Sequence, residues 1–108
     1  MQFIDLTSTA DEPGAWSVKA RGTLDLETAP RLQARLDELI DGGAALIVLQ
    51  LGEVEFLDSS GLRALLTVHR RLEANGGRLE LRDASEPVLR LLEITGLREH
   101  FGVPGAAS

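Results

Sequence analysis

Residues 53–63, EVEFLDSSGLR, gather the side chains of this chain best suited to chemistry. A carboxylate, two hydroxyls and a glycine, Asp58-Ser59-Ser60-Gly61, stand where a strand-like apolar stretch gives way to a helical pattern. Short polar side chains at such a point accept hydrogen bonds from the orphan N–H groups of the first helical turn. A hydroxyl presented there can also carry a phosphate, because the N–H groups and the helix dipole both favour an anion. With residues spaced by about 100° around the helix axis, Leu62, Leu65, Leu66, His69 and Leu72 form a buried stripe. Ser60 then shares the outward face with Ala64, Thr67 and Arg71, while Ser59 falls near the edge of the stripe. Ser59 is therefore expected to cap the helix and Ser60 to be the presented hydroxyl. Standing alone, DSSG signals no more than an N-cap supplied by Asp58 or Ser59.

Two other chemistries fit less well. A nucleophilic serine needs a base within hydrogen-bond reach, and His69 lies nine residues beyond Ser60, roughly 13 Å along a helix axis. His69 sits on the apolar face and is expected to be a packed, satisfied imidazole, with His100 exposed. Asp25, Glu53, Glu55 and Asp58 could gather around a hard cation, as in a receiver-like phospho-acceptor domain. No acidic pair accompanies the first strand and no well-placed Lys follows a later one, so these acids read mostly as solvated loop residues. A Gly-rich phosphate loop followed by Lys is also missing, so neither catalytic residues nor a metal or cofactor is expected.

The elements that must position this segment follow from the pattern. Residues 3–7 read as a short strand, and Asp11, Glu12, Pro13 and Gly14 as a turn. Trp16, Val18 and Ala20 then alternate along a second strand. A helix is expected from about Thr28, with Pro30 in its first turn, and Gly42 and Gly43 end it. Its apolar face carries Ala29, Leu32, Leu36, Leu39 and Ile40. Residues 45–51, ALIVLQL, predict a central strand covered on both faces. A second helix spans about 60–74, residues 78–82 alternate as a strand, and a third helix spans about 86–95 behind a Ser85 cap, with Pro87 in its first turn. Gly96 followed by Leu97 reads as a helix stop. Residues 97–101 read as a helical turn and 102–108 as a short flexible tail. The expected class is α/β, a single domain with a mixed β-sheet flanked by helices that lie mainly on one side.

Composition narrows the range of functions. At 108 residues the chain holds one domain of roughly 13 Å radius of gyration. Only Phe3, Phe56, Phe101 and Trp16 are aromatic, too few for a nucleobase-stacking platform. Eleven Lys and Arg against 17 Asp and Glu give a net charge of −6, which opposes nucleic-acid binding. There is no Cys, as suits a reducing compartment. The longest apolar run, residues 44–49, falls far short of the roughly 18 residues of a membrane span, and the first residues do not resemble a signal peptide. A cytoplasmic protein without membrane insertion is expected.

Taken together, Gly22-Thr23-Leu24-Asp25, ALIVLQL, FLDSSGLRALL and GGRLELRDASEPVLRLLEITGL resemble the STAS domain, and within it the bacterial anti-sigma factor antagonists, over about residues 3–101. A G-x-L-D placed before a DSSGL helix start is far more specific than either piece alone. The resemblance implies a partner-switching function. In such proteins the unphosphorylated domain binds an anti-sigma factor, a serine kinase of the histidine-kinase-like ATPase type, and so frees a sigma factor. The kinase phosphorylates the second serine of DSSG, which is Ser60 here, and a metal-dependent phosphatase reverses the reaction. Asp25 matches the acidic residue of G-x-L-D near that site. Asp25, Asp58, Ser59, Gly61 and Arg63 are the partner-facing residues the resemblance implies. Arg63 stands where several relatives carry a small residue, and the final helix that many relatives append is not expected in the short stretch after Phe101. STAS-like domains also serve as interaction subunits of stress-signalling assemblies and of transporters, which is the alternative reading.

Overall fold

The computed structural model describes residues 3–103. Its elements run β1 (Ile4–Glu12), β2 (Ala15–Leu24), α1 (Ala29–Asp41), β3 (Leu46–Leu57), α2 (Ser59–Ala74), β4 (Arg78–Arg82) and α3 (Glu86–Thr95). The strands form one mixed sheet in the order β1-β2-β3-β4, the β1–β2 pair antiparallel and the other two parallel. A hairpin suffices for the first pair. Each parallel pair needs a crossover, and α1 and α2 supply them.

β1 is longer than its apolar pattern suggests. It runs on through Asp11 and Glu12 past an irregularity between Ala10 and Glu12, and leaves only Pro13 and Gly14 as the turn. Asp11 stays in the strand because its Oδ2 accepts a 2.6 Å hydrogen bond from Ser17 Oγ on β2. At the other end of the pair Gly22 adopts φ +116°, and a Cβ there would lie 2.6 Å from the Phe3 carbonyl oxygen. The close approach of the two strands just before Thr23-Leu24-Asp25 thus requires glycine.

Alternate residues of the strands, Val18, Ala20, Ile47, Leu49, Leu79 and Leu81, join Leu32, Leu36 and Ile40 of α1 and Leu65, Val68 and Leu72 of α2 in one core. Each fully buried Leu or Val contributes about 1.5 to 3 kcal/mol relative to exposure. The alternating positions, Thr7, Lys19, Gln50 and Glu80, are exposed or half-buried. The expectation that β3 is covered on both faces is therefore corrected. Val48 is only 6% exposed yet lies outside the main core, flanked by Ser17 and Glu80 on the neighbouring strands. Side chains of adjacent strands, rather than a second helical layer, bury it. The 21 Å short dimension of the molecule accommodates one sheet and one layer of helices, and the radius of gyration is 12.8 Å.

One cap expectation changes in detail. Ser85 occupies the N-cap position of α3, but its hydroxyl makes no cap hydrogen bond. It donates instead to the Val54 carbonyl at 2.6 Å and laces the β4–α3 loop to β3. Gly96 ends α3 in the left-handed conformation, with Leu97 N–H bonded to the Leu92 carbonyl. The turn at 97–101 is present and buries Phe101. Gly102 and Val103, read as the start of a flexible tail, donate to Glu99 and Arg98 carbonyls. The rest of that tail, 104–108, lies outside the described residues.

Candidate functional site

The DSSG segment is anchored at the carboxyl end of β2. The Asp58 N–H donates to the Leu24 carbonyl at 3.1 Å. Asp58 is extended, with φ −111° and ψ −172°, and its Oδ1 accepts from Ser60 N–H at 2.8 Å and Gly61 N–H at 3.2 Å. Leu62 N–H closes the first helical bond on the Asp58 carbonyl. Asp58, not Ser59, is thus the N-cap. Its carboxylate satisfies two orphan donors and complements the helix dipole. Ser59 is the first helical residue and exposed, whereas Ser60 is half-buried.

The outward face expected for Ser60 is corrected for the same reason. Ala64 is 4% exposed, and Gly61 and Val68 are also buried. Helix α1 packs beside α2, so the buried stripe of α2 is rotated toward α1 and away from the position a sheet alone would dictate. Ser60 lies at the margin of this stripe, on the wall of a groove of about 420 Å³ between the two helices. Leu26, Ala29, Pro30, Arg63, Ala64 and Thr67 line it with Ser60. Gly61 is what lets the helix start here. A Cβ at that position would lie 2.9 Å from the Leu24 carbonyl oxygen and also meet the Leu57 side chain.

Asp25 folds the opposite wall. It is only 9% exposed, and its Oδ1 accepts from the N–H groups of Glu27 at 3.0 Å and Thr28 at 3.1 Å. Thr28 Oγ1 accepts from Asp25 N–H at 2.9 Å and donates to the Thr23 carbonyl at 2.6 Å. This closed ring of polar contacts ends β2, starts α1 and thrusts Leu26 outward, leaving it 76% exposed at the rim of the groove. Leu26 was not singled out in the sequence. The available signal was an apolar residue inside a polar D-x-x-T turn.

The four acids once considered together are held apart. Asp25 serves its turn and Asp58 its helix. Glu53 pairs with Lys19 at 2.5 Å, and that hydrogen-bonded ammonium holds its carboxyl below the usual range. Glu55 is exposed. Among the described residues no group of three His, Asp or Glu is arranged to hold a metal ion. On α2, Arg71 bonds Asp37 Oδ1 at 2.9 Å and also Asp41, ties α1 to α2 and has its own pKa raised by both carboxylates. Arg63 is exposed and forms no ion pair among the described residues. His69 is buried as expected, edge-on to His100 and Phe101. It is not fully satisfied, because Nδ1 has no hydrogen-bond partner and Nε2 lies 3.5 Å from Glu73.

Gly22 to Asp25 and Asp58 to Gly61 are more than thirty residues apart in sequence yet are joined by the hydrogen bond from Asp58 N–H to the Leu24 carbonyl and by the close approach of Gly61 to Leu24. The sequence profile of the STAS domain matches residues 8–106, spanning both segments. This chain belongs to the STAS domain family. An anti-sigma-B factor antagonist of Bacillus subtilis is 35% identical over 82 residues, 76% of this chain and 74% of the relative. The STAS fold here also resembles the anti-sigma factor antagonist SpoIIAA in its unphosphorylated form, with TM-score 0.76 and 26% identity over 86% of this chain and 82% of that one. An anti-sigma factor antagonist from Mycobacterium paratuberculosis gives TM-score 0.78 and 27% identity over 97% and 89%. The single four-stranded mixed sheet with three helices is the STAS architecture.

Proposed function

We propose that this STAS domain is an anti-sigma factor antagonist that works by partner switching, with Ser60 as its phosphate acceptor. Unphosphorylated, it binds an anti-sigma factor that is itself an ATPase-type serine kinase, and a sigma factor is released. The kinase transfers the γ-phosphoryl group of ATP to Ser60 Oγ. An O–P bond forms, the bond from the γ-phosphorus to the bridging oxygen breaks, and ADP and a proton leave. A phosphatase acting on phospho-Ser60 restores the binding form. The cytoplasm is the setting such partners share.

The observation that carries this reading is the place of Ser60 on the wall of the α1–α2 groove, with its backbone already fixed by Asp58. A phosphate there adds roughly −1.5 to −2 charge beside an apolar surface formed by Leu26, Ala29, Pro30 and Ala64. Like charges and a desolvated phosphate at an interface cost several kcal/mol, enough to end a complex. Of the partner-facing residues, Ser59 and Arg63 are exposed and available for direct contact, while Asp25, Asp58 and Gly61 shape the surface from beneath. The role of substrate is supported by the occupation of the neighbouring Asp58 carboxylate with two backbone N–H groups and by the distance to His69, roughly 13 Å along α2.

The test is reaction with the cognate kinase and Mg-ATP followed by peptide mapping. Phosphate on Ser60, abolished in Ser60→Ala, is the expected outcome. Phosphate confined to Ser59 or Thr67 sinks the assignment.

A further inference from the structure

Two donors of the helix terminus are already taken when a phosphate arrives on Ser60. The N–H groups of Ser60 and Gly61 are engaged by Asp58 Oδ1, and that carboxylate repels a second anion. Of the other charged side chains lining the same groove, Asp37 is negative and held by Arg71. Thr67 spends its hydroxyl proton on the Arg63 carbonyl at 2.9 Å. The remaining charged group is Arg63, exposed and without an ion pair among the described residues. It follows Ser60 by three residues on α2, a spacing that sets Cβ atoms about 5 to 6 Å apart. A guanidinium on its long stem spans that gap and matches phosphate oxygens two at a time.

We propose that Arg63 is the intramolecular ligand of the phosphate on Ser60, held free in the unphosphorylated protein and drawn into an i, i+3 pair when the phosphate arrives. The inference rests on Ser60 as the acceptor. Modification then changes two charges of the groove at once, because it adds an anion and removes Arg63 from reach of any partner carboxylate. Arg63 cancels one unit of a phosphate charge of roughly −1.5 to −2, so the phosphorylated helix keeps its start intact while its binding surface, still net negative there, is lost.

The experiment uses the full chain with phosphoserine installed at position 60 during translation, so that no kinase is needed. Phosphorus NMR follows the second ionisation of the phosphate against pH, near 6 for a free phosphoserine. Arg63→Gln is expected to raise that pKa by roughly 0.3 to 0.7 unit, with most of the difference lost in 1 M salt. Arg63→Lys is expected to raise it by less than Gln does. Arg31→Gln, which removes an exposed cation of α1 outside the groove, is expected to leave it unchanged. Equal values in the wild type and Arg63→Gln, or an equal rise in Arg31→Gln, overturn the proposal. Failure of a kinase to modify Ser60 bears on the acceptor assignment alone, since this titration proceeds without one.

Discussion

The N–H of Asp58 lies 3.1 Å from the carbonyl oxygen of Leu24, one hydrogen bond joining the end of β2 to the start of α2. It ties the turn that holds out Leu26 to the helix that bears Ser60, while Arg71 on α2 bridges to Asp37 on the α1 wall of the groove.

Asp58→Ala removes the acceptor of two helix N–H groups. A lost cap of this kind costs about 0.5 to 2 kcal/mol, and urea unfolding is expected to show that loss at unchanged slope. Asp58→Asn keeps an oxygen in place and should retain most of the stability. An Ala variant as stable as the wild type contradicts the capping geometry.

Gly61→Ala places a methyl group 2.9 Å from the Leu24 carbonyl oxygen. Because that neighbour is backbone, relief requires the helix start to shift, at a cost of about 1 to 3 kcal/mol. Thermal unfolding should show a lowered midpoint, and amides of residues 58–62 should exchange faster. A neutral substitution would show that the β2 end yields easily.

Ser60→Asp adds an acid on the first turn of α2, where a negative charge is mildly stabilising, by about 0.3 to 1 kcal/mol at most. We therefore expect its thermal midpoint close to that of the wild type, but binding to the anti-sigma partner lost. Ser60→Ala should bind whether or not ATP is present. Calorimetric titration of both variants decides the matter. Tight binding by Ser60→Asp, or loss of binding through melting, counts against an electrostatic switch.

Glu53 offers a pH marker remote from the groove. Lys19 holds its carboxyl below the ordinary value. A depressed carboxylate contributes stability above its unfolded pKa and loses it as pH falls through the folded pKa, so this pair acts at neutral pH and fades in acid. Carbon-detected NMR titration should find the Glu53 pKa rising toward its ordinary value in Lys19→Met and in high salt. A Glu53 pKa identical in the two proteins would mean that the ion pair is not populated in solution.

Punctuation made much of the fold legible. Pro87, Gly96 and the alternation of RLELR delimit α3 and β4 at the bounds found in the structure. β1 was underestimated because it is an edge strand whose outward residues Thr7, Thr9 and Asp11 carry no apolar signal. The site was legible in composition and not in orientation. A helical wheel assumes one buried direction, and α2 has two, toward the sheet and toward α1, which turns Ala64 inward and leaves Ser60 half-buried. The burial of Asp25 follows from its bonds to Glu27 and Thr28. A D-x-x-T spacing hints at such a turn, but only the chain reversal after β2 makes it close.

Strand order in this sheet equals chain order. A ribosome delivers each strand to an existing edge, and none has to be wedged between two that have already paired. Every parallel partner is also separated from its neighbour by a single helical crossover, so each step of growth closes one loop of modest length. The groove itself is lined by the turn between β2 and α1, by α1 and by α2, all of which emerge before β4 and α3. The groove is therefore laid down before β4, which then adds to an edge of the sheet without having to reopen it.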